Sequence, residues 1–267
     1  MRSTIRNVLV AAGFAAMTGP ALAASCGNTS SGFEGWKSAF AAEAQRAGVG
    51  QRGLQALASA RYSQTTINAD RNQKSFRYSL QKFMQVRGSA TIVAQGRKRK
   101  ANNARLFQVL EQQYGVPSGV LIAIWGMETA FGGFMGDTPV VSAITTLAYD
   151  CRRSDFFKPH ALGALTLVDR GAITGDTRGA KHGELGHTQF LPGNALRYGV
   201  DATGDGRVDF YNSVDALAST ANFLRSKGWR PGQGYQEGQP NFAVIKQWNA
   251  ATVYQQAIAI MAAQIDG

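Results

Sequence analysis

One acidic residue lies where an apolar helix is predicted, and it is the first candidate for chemistry. The stretch from Pro117 to Gly133 begins with a proline and ends with glycines, which is typical of a helix start and stop. Within it, Glu128 shares a helical face with Leu121 and Trp125. Burial and the negative end of the helix dipole both oppose ionisation, so we expect a raised pKa. Such a carboxyl can donate a proton near neutral pH, or it can pair with an arginine for structural reasons.

A second candidate site is the acidic turn over residues 201–215. Oxygen-bearing residues stand at positions 1, 3, 5 and 7 of a calcium-loop pattern, and Gly206 stands at position 6, where the turn is sharp. Asn212 replaces the usual Glu at position 12, and a later aspartate could serve instead. Oxygen ligands suit Ca²⁺ better than a transition metal, so we expect a structural Ca²⁺, with a plain Asp/Gly turn as the alternative. The expected ligands are Asp201, Thr203, Asp205, Arg207 through its carbonyl, and Asp215.

The first 23 residues have the pattern of a secretory signal peptide. Arg2 and Arg6 precede a short apolar run, and a small-residue cleavage site ends at Ala23. We therefore expect export to the periplasm with cleavage after Ala23; a lipoprotein anchored at Cys26 is a weaker alternative. An oxidising compartment and an even cysteine count predict one disulfide, between Cys26 and Cys151.

The chain is basic and has enough apolar residues for a packed core. Hydrophobic residues make up 44% of its 267 residues, and removal of Arg2 and Arg6 lowers the net charge from +11 to +9. Basic exported proteins meet anionic polymers such as cell wall, lipid surfaces or nucleic acid. The basic run over 97–100 lacks interleaved aromatics, so we interpret it as a solvated helix face and do not expect nucleic-acid binding.

The elements that must position these residues are predicted to be helices with long polar loops between them. We predict a polar turn over 65–72, a long helix over 89–114, a break at Pro159, and loops over 171–186 and 231–240. The expected fold class is mainly α, with a few short strands at most, in one domain spanning 24–267. The other predicted helices cover residues 33–47, 51–60, about 76–84, 117–132, 139–147, 154–169, 190–198, 213–227 and 250–264.

Five motifs in order resemble the B-type lytic murein transglycosylases. They are GMETAFG at 126–132, LAYDCRRSDFF at 147–157, GHTQFLP at 186–192, the loop at 201–215 and the segment 247–254. The resemblance implies an α+β, lysozyme-like catalytic domain that needs no cofactor for catalysis. It implies cleavage of the β-1,4 bond between N-acetylmuramic acid and N-acetylglucosamine of peptidoglycan, with a 1,6-anhydro ring as product. We expect a monomer with no membrane-spanning segment in the mature chain.

The same resemblance assigns roles to individual residues. Glu128 is implied to act first as acid and then as base, whereas ordinary glycosidases use two carboxylates. The implied substrate contacts are Gln189, Arg152, Arg153, Asn249, Tyr254, Phe156 and Phe223. Asp137 is the nearest other carboxylate that could act as a second catalytic partner for Glu128.

Three positions depart from the family pattern by lacking a hydroxyl. Ala180 stands where the family often has a serine, and Phe156 and Phe223 stand where it has two cleft tyrosines. The loop over 179–186 is therefore expected to organise Glu128 differently, with Lys181 and Glu184 as local candidates. The alternatives are a non-catalytic wall-binding or scaffold protein and a lysozyme-type hydrolase.

Overall fold

The computed structural model describes residues 24–72 and 77–267, which are mostly helical, as predicted. The predicted signal peptide, residues 1–23, lies outside the described residues, as does the start of the helix predicted from residue 76. Thr138–Pro139 (β1) and Arg178–Gly179 (β2) form a small antiparallel pair in which Thr138 faces Gly179. The helices of the described ranges are α1 (Phe33–Arg46), α2 (Gln51–Ser59), α3 (Gln64–Arg71), α4 (Leu80–Val86), α5 (Ser89–Asn102), α6 (Ala104–Tyr114), α7 (Ser118–Thr129), α8 (Val140–Tyr149), α9 (Ser154–Asp169), α10 (Pro192–Tyr198), α11 (Ser213–Ser226), α12 (Phe242–Trp248) and α13 (Thr252–Asp266).

The turn predicted over 65–72 is wrong, because α3 occupies this segment. Ser63 begins the helix by accepting a hydrogen bond from the Thr66 backbone N–H at 3.2 Å. Ile67 and Asp70 are buried on the same face. The polar composition of this segment did not indicate a helix, because its buried face includes the Asp70 carboxylate, whose partners lie far along the chain.

Two other predicted boundaries differ from the structure. The helix predicted over 89–114 is broken at Asn103, whose side-chain amide donates to the Arg99 carbonyl at 3.0 Å and so competes with the helical pattern. By contrast, α9 continues through Pro159. The proline leaves the Asp155 carbonyl without its helical donor, and both residues are exposed, so water can satisfy that carbonyl.

Helix α7 lies at the centre of the core. It is buried on all sides rather than along one apolar stripe, which corrects the amphipathic pattern predicted for it. Neither α7 nor another helix of the described ranges is long and apolar enough to span a membrane.

Helices α7 and α13 pack against each other in antiparallel orientation. Asp266, at the end of α13, accepts hydrogen bonds from the Gly119 N–H at 2.8 Å and the Ser118 hydroxyl at 3.1 Å. A Cβ at Gly119 would lie 2.3 Å from the Ala262 carbonyl oxygen, so this close approach requires glycine. The pairing places the first turn of α13 beside the last turn of α7.

The predicted disulfide between Cys26 and Cys151 is present and joins residues 125 apart. The flanking backbone supports it, because the Gly27 N–H donates to the Tyr149 carbonyl at 3.0 Å and the Cys151 N–H donates to the Gly27 carbonyl at 3.3 Å. The start of the described chain is thus fastened to the segment that follows α8.

Candidate active site

Glu128 lies in the last turn of α7, on the wall of a cleft of about 580 Å³. The cleft is formed by distant parts of the chain: the end of α4, the start of α9, the loop before α10, α11 and the segment joining α12 to α13. Of the predicted site residues, the cleft brings together Glu128, Arg153, Phe156, Glu184, Gln189, Phe223, Asn249 and Tyr254.

One carboxyl oxygen of Glu128 accepts two hydrogen bonds from the α12–α13 segment. The Tyr254 hydroxyl donates to Oε1 at 2.5 Å, and the Trp248 indole N–H donates to the same atom at 3.0 Å. Burial and the neighbouring Glu128 raise the pKa of Tyr254 well above its usual value, so its hydroxyl remains a donor. The second oxygen, Oε2, is therefore the natural place for a proton, since Oε1 already acts as a double acceptor.

The pKa of Glu128 is raised from 4.5 to about 7, as the sequence predicted. Burial is the largest cause, and the negative charge of Glu184 adds to it. The hydrogen bonds from Tyr254 and Trp248, together with the positive charge of Arg87, act in the opposite direction. Burial prevails, so a substantial fraction of Glu128 carries a proton at neutral pH.

The end of α7 comes earlier than the glycines at 132 and 133 predicted. Thr129 is the last helical residue, and Ala130 and Phe131 adopt positive φ angles of 48° and 64°. Thr129 holds this turn, since its hydroxyl donates to the His187 carbonyl at 2.6 Å and accepts from the Gly132 N–H at 2.9 Å. The residue next to Glu128 thus fastens α7 to the loop over 186–189.

Gln189 reaches the cleft from that loop in a strained backbone conformation. Its φ is 55°, which is uncommon for a residue other than glycine, and backbone strain of this kind clusters at functional sites. Its side-chain amide donates to the Gly186 carbonyl at 2.7 Å, which holds the side chain against the loop. The structure therefore brings Gln189 into the same cleft as Glu128, as predicted.

The two predicted arginines have different surroundings. Arg153 lines the cleft, donates to buried Asp70 and lies 4.8 Å from the centre of the Phe157 ring. Arg152 is not part of the cleft lining; it donates to the Asp70 carboxylate and, at 3.0 Å, to the Asp70 carbonyl. Arg152 thus anchors α3, and its predicted contact with substrate stays a prediction.

The predicted aromatic contacts also differ from each other. Phe156 is 52% exposed at the cleft and can offer a ring face to a sugar. Phe223 is buried and meets the Trp248 ring edge to face at 5.3 Å, so it supports the indole that contacts Glu128. Phe223 also lines the cleft, and its predicted role as a substrate contact stays a prediction.

The other residues that were candidates for organising Glu128 differ in whether they line the cleft. Glu184 lines the cleft, whereas Asp137, Ala180 and Lys181 do not. Trp248 and Arg87 line the cleft as well, although no sequence pattern indicated a site role for either. Trp248 lay within a recognised motif, but nothing in its local pattern indicated that it would donate to Glu128; Arg87 had no signal at all.

The predicted calcium loop is held by its own backbone hydrogen bonds. Asp201 accepts from the Gly204 N–H at 2.7 Å and the Gly206 N–H at 2.8 Å, and these bonds lower its pKa. Asp215 is buried and accepts from the N–H groups of Ala202 at 2.9 Å, Thr203 at 3.1 Å and Asp209 at 3.0 Å. Both oxygens of Asp215 thus accept from backbone donors, so Asp215 braces the loop, and its role as a ligand stays a prediction.

The remaining predicted ligands, Thr203, Asp205 and Arg207, belong to the same loop. The Thr203 hydroxyl donates to Asp201 at 3.1 Å, and Asp205 accepts from the Arg207 N–H at 2.9 Å. Within the described ranges, no three His, Cys, Asp or Glu side chains are grouped closely enough to hold a metal ion. Calcium binding stays a prediction.

Comparison with protein families and curated proteins points to one group. The profile of the Transglycosylase SLT domain matches residues 32–238. The membrane-bound lytic murein transglycosylase B of Escherichia coli (strain K12) is 33% identical over 139 residues, which are 49% of this chain and 38% of that protein. The chain thus spans well under half the length of this curated relative.

Solved structures share the fold. SltB3 from Pseudomonas aeruginosa, in complex with NAG-anhNAM-pentapeptide, superposes with a TM-score of 0.79 at 28% identity, covering 88% of this chain and 80% of SltB3. The Escherichia coli lytic transglycosylase Slt35 in complex with calcium gives a TM-score of 0.71 at 20% identity, covering 91% of this chain and 96% of Slt35. The latter likeness concerns the fold alone.

Proposed function

The chain belongs to the Transglycosylase SLT domain family, and from this premise we propose that it is a lytic transglycosylase of peptidoglycan. The proposed reaction cleaves the β-1,4 bond between N-acetylmuramic acid and N-acetylglucosamine and leaves 1,6-anhydromuramic ends. The observation that carries the proposal is Glu128, a cleft carboxyl whose pKa of about 7 allows it to donate a proton. Its place in the 126–132 motif supports the same role.

In the first step, Glu128 acts as general acid. The proton on Oε2 passes to the glycosidic oxygen as the bond to C1 of the muramoyl residue breaks, and N-acetylglucosamine leaves as an alcohol. Tyr254 and Trp248 stabilise the carboxylate that forms, because both donate to Oε1. The substrate's own N-acetyl group can supply the stabilisation that a second carboxylate provides in ordinary glycosidases.

In the second step, the Glu128 carboxylate acts as general base. It takes the proton of the muramoyl 6-hydroxyl as that oxygen forms its bond to C1 and closes the anhydro ring. Glu128 thereby recovers its proton, and no water is consumed. A pKa near neutrality suits both halves of this cycle, since the same group must give and take a proton at one pH.

The proposed substrate contacts follow the cleft. Gln189 and Asn249 offer amides for sugar hydroxyl and acetamido groups, Phe156 offers a ring face, and Arg153 offers charge to peptide carboxylates. Glycan fragments with peptide stems are also what SltB3 holds, since it was solved with NAG-anhNAM-pentapeptide and with NAG-NAM-pentapeptide. No nucleic-acid contact is part of the proposal.

We further propose that residues 24–267 form the transglycosylase domain, as a monomer in the periplasm, behind a signal peptide at 1–23. The disulfide uses the Cys26 sulfur that a lipid anchor would need, which favours cleavage after Ala23 over lipidation. Intact mass of the exported protein separates the two forms. The loop at 201–215 is proposed as a structural Ca²⁺ site.

Digestion of purified peptidoglycan followed by mass spectrometry tests the reaction. The wild-type protein should release fragments with 1,6-anhydromuramic ends, and Glu128→Gln should release none while keeping its helical circular dichroism. Glu111→Gln makes the same chemical change at an exposed position of α6 and should retain activity. Fragments heavier by one water would indicate a hydrolase, and binding to sacculi without release would indicate a wall-binding protein; either result refutes the proposal.

A further inference from the structure

A second carboxylate, Glu184, lines the cleft that contains Glu128. It is held in place by its neighbour His182, whose backbone N–H donates to Oε2 at 3.0 Å and whose Nδ1 lies 3.3 Å from Oε1. The loop itself is fastened, because the Ala180 N–H donates to the Glu184 carbonyl at 3.0 Å and Leu185 exchanges backbone hydrogen bonds with Phe190. The carboxylate is thus presented to the cleft by a rigid segment.

Among the residues that the structure describes, the charged and titratable groups that share the cleft with Glu128 come from four parts of the chain. Arg87 lies at the end of α4, Arg153 precedes α9, His182 and Glu184 belong to the loop before α10, and Tyr254 lies in α13. Arg87 favours loss of the proton from Glu128, whereas Arg153 is paired with Asp70. Glu184 is the one acidic group among these neighbours, and it interacts electrostatically with both Glu128 and Arg153.

We propose that Glu184, held by His182, is a positioning residue for Glu128: its negative charge offsets the positive charge of Arg87 and keeps the acid in its proton-bearing form. The role rests on the proposed function. The role is consistent with Ala180, which stands where the family often has a serine and brings no hydroxyl to this loop. The loop contributes the carboxylate of Glu184 to the cleft instead. Glu184 makes no bond to the reacting atoms in this scheme; it acts through Glu128.

Glu184→Gln tests this role because it removes the charge and keeps the shape. On the basic side, kcat/KM falls as free Glu128 loses its proton. Without the negative charge of residue 184, Glu128 holds its proton less tightly. The basic limb of the kcat/KM profile should therefore move to lower pH by about 0.5–1 unit in Glu184→Gln. This shift corresponds to a three- to tenfold loss of kcat/KM on the basic side. Glu184→Asp should keep most of the wild-type profile. Glu111→Gln, which removes an exposed carboxylate outside the cleft, should leave the limb in place.

Direct titration of the Glu128 side-chain carboxyl by carbon-13 NMR separates this inference from the proposed function. It needs no turnover, and the resonance is assigned by its absence in Glu128→Gln. A lower midpoint in Glu184→Gln than in wild type supports the inference even if no peptidoglycan is cleaved. An unchanged midpoint overturns it even if cleavage is confirmed. A higher ratio of anhydro to reducing ends in Glu184→Gln would make Glu184 a base that activates water and would also overturn it.

Discussion

Replacing Glu128 by glutamine should make the protein more stable above neutral pH. The pKa of Glu128 is about 7 in the folded chain against 4.5 for an unperturbed carboxyl, mainly because of burial. The folded state therefore binds the proton more tightly than the unfolded state, and stability is lost as pH rises from about 4.5 through about 7. The difference corresponds to about 3 kcal/mol, fully expressed by about pH 8.

Glutamine isolates this effect because it cannot ionise. Its carbonyl can still accept from Tyr254 and Trp248, so those contacts with position 128 are retained. His160 produces the opposite trend in both proteins. Burial lowers its pKa from 6.5 to about 4, so its contribution to stability is present above pH 6.5 and is lost as pH falls through about 4. The wild-type profile mixes both groups, whereas the difference between the two proteins reports Glu128 alone.

Urea unfolding of the wild type, Glu128→Gln and the exposed control Glu111→Gln from pH 4 to pH 8 measures the effect. Glu128→Gln should match the wild type near pH 4 and exceed it by about 3 kcal/mol at pH 8. The control should follow the wild type throughout. A stability difference that does not change with pH, or a variant less stable than the wild type at pH 8, would refute the raised pKa and with it the proposed acid.

Three further outcomes are expected. Tyr254→Phe removes a hydrogen-bond donor to the Glu128 carboxylate, so the basic limb of the kcat/KM profile should move to higher pH by about one unit. The maximal kcat/KM should fall, and a basic limb at an unchanged pH would contradict the hydrogen bond. Replacing Cys26 and Cys151 by serine opens a loop of 125 residues and should lower the unfolding free energy by up to about 4–5 kcal/mol on the chain-entropy model. Urea unfolding against the oxidised wild type measures this loss, and the reduced wild type should match the variant. Chelation should lower Tm and added Ca²⁺ should restore it, and Asp201→Asn should abolish the response; equal Tm values with and without Ca²⁺ would leave the loop as a turn.

Local patterns in the sequence predicted the parts of the site that local structure determines. Pro117 and the apolar run after it predict α7, and the place of Glu128 near its end predicts the direction of the pKa change. The end of the helix was predicted less well, because Thr129 stops it through a contact with His187, far along the chain. The positions of the glycines in the sequence do not predict that contact.

The parts that the sequence did not predict depend on distant partners. Asp70 is a buried carboxylate in a polar segment, and its contacts with Arg152 and Arg153 explain why it can be buried there. Trp248 is one tryptophan among several by composition, and its role follows from where α12 ends in space. A family resemblance places such residues in the right region, but it does not separate Arg153, which lines the cleft, from Arg152, which does not.

The pairing of α7 with α13 links the stability of the core to the chemistry of the cleft. At one end, Asp266 of α13 accepts from the Gly119 N–H and the Ser118 hydroxyl at the start of α7. At the other end, Tyr254 of α13 donates to Glu128 in the last turn of α7. Because Gly119 allows the helices to approach closely, a shift of α13 would disturb both ends together. The burial that raises the pKa of Glu128 and the hydrogen bond that limits this rise thus arise from the same packing. An acid built this way keeps its proton affinity only while the core is intact.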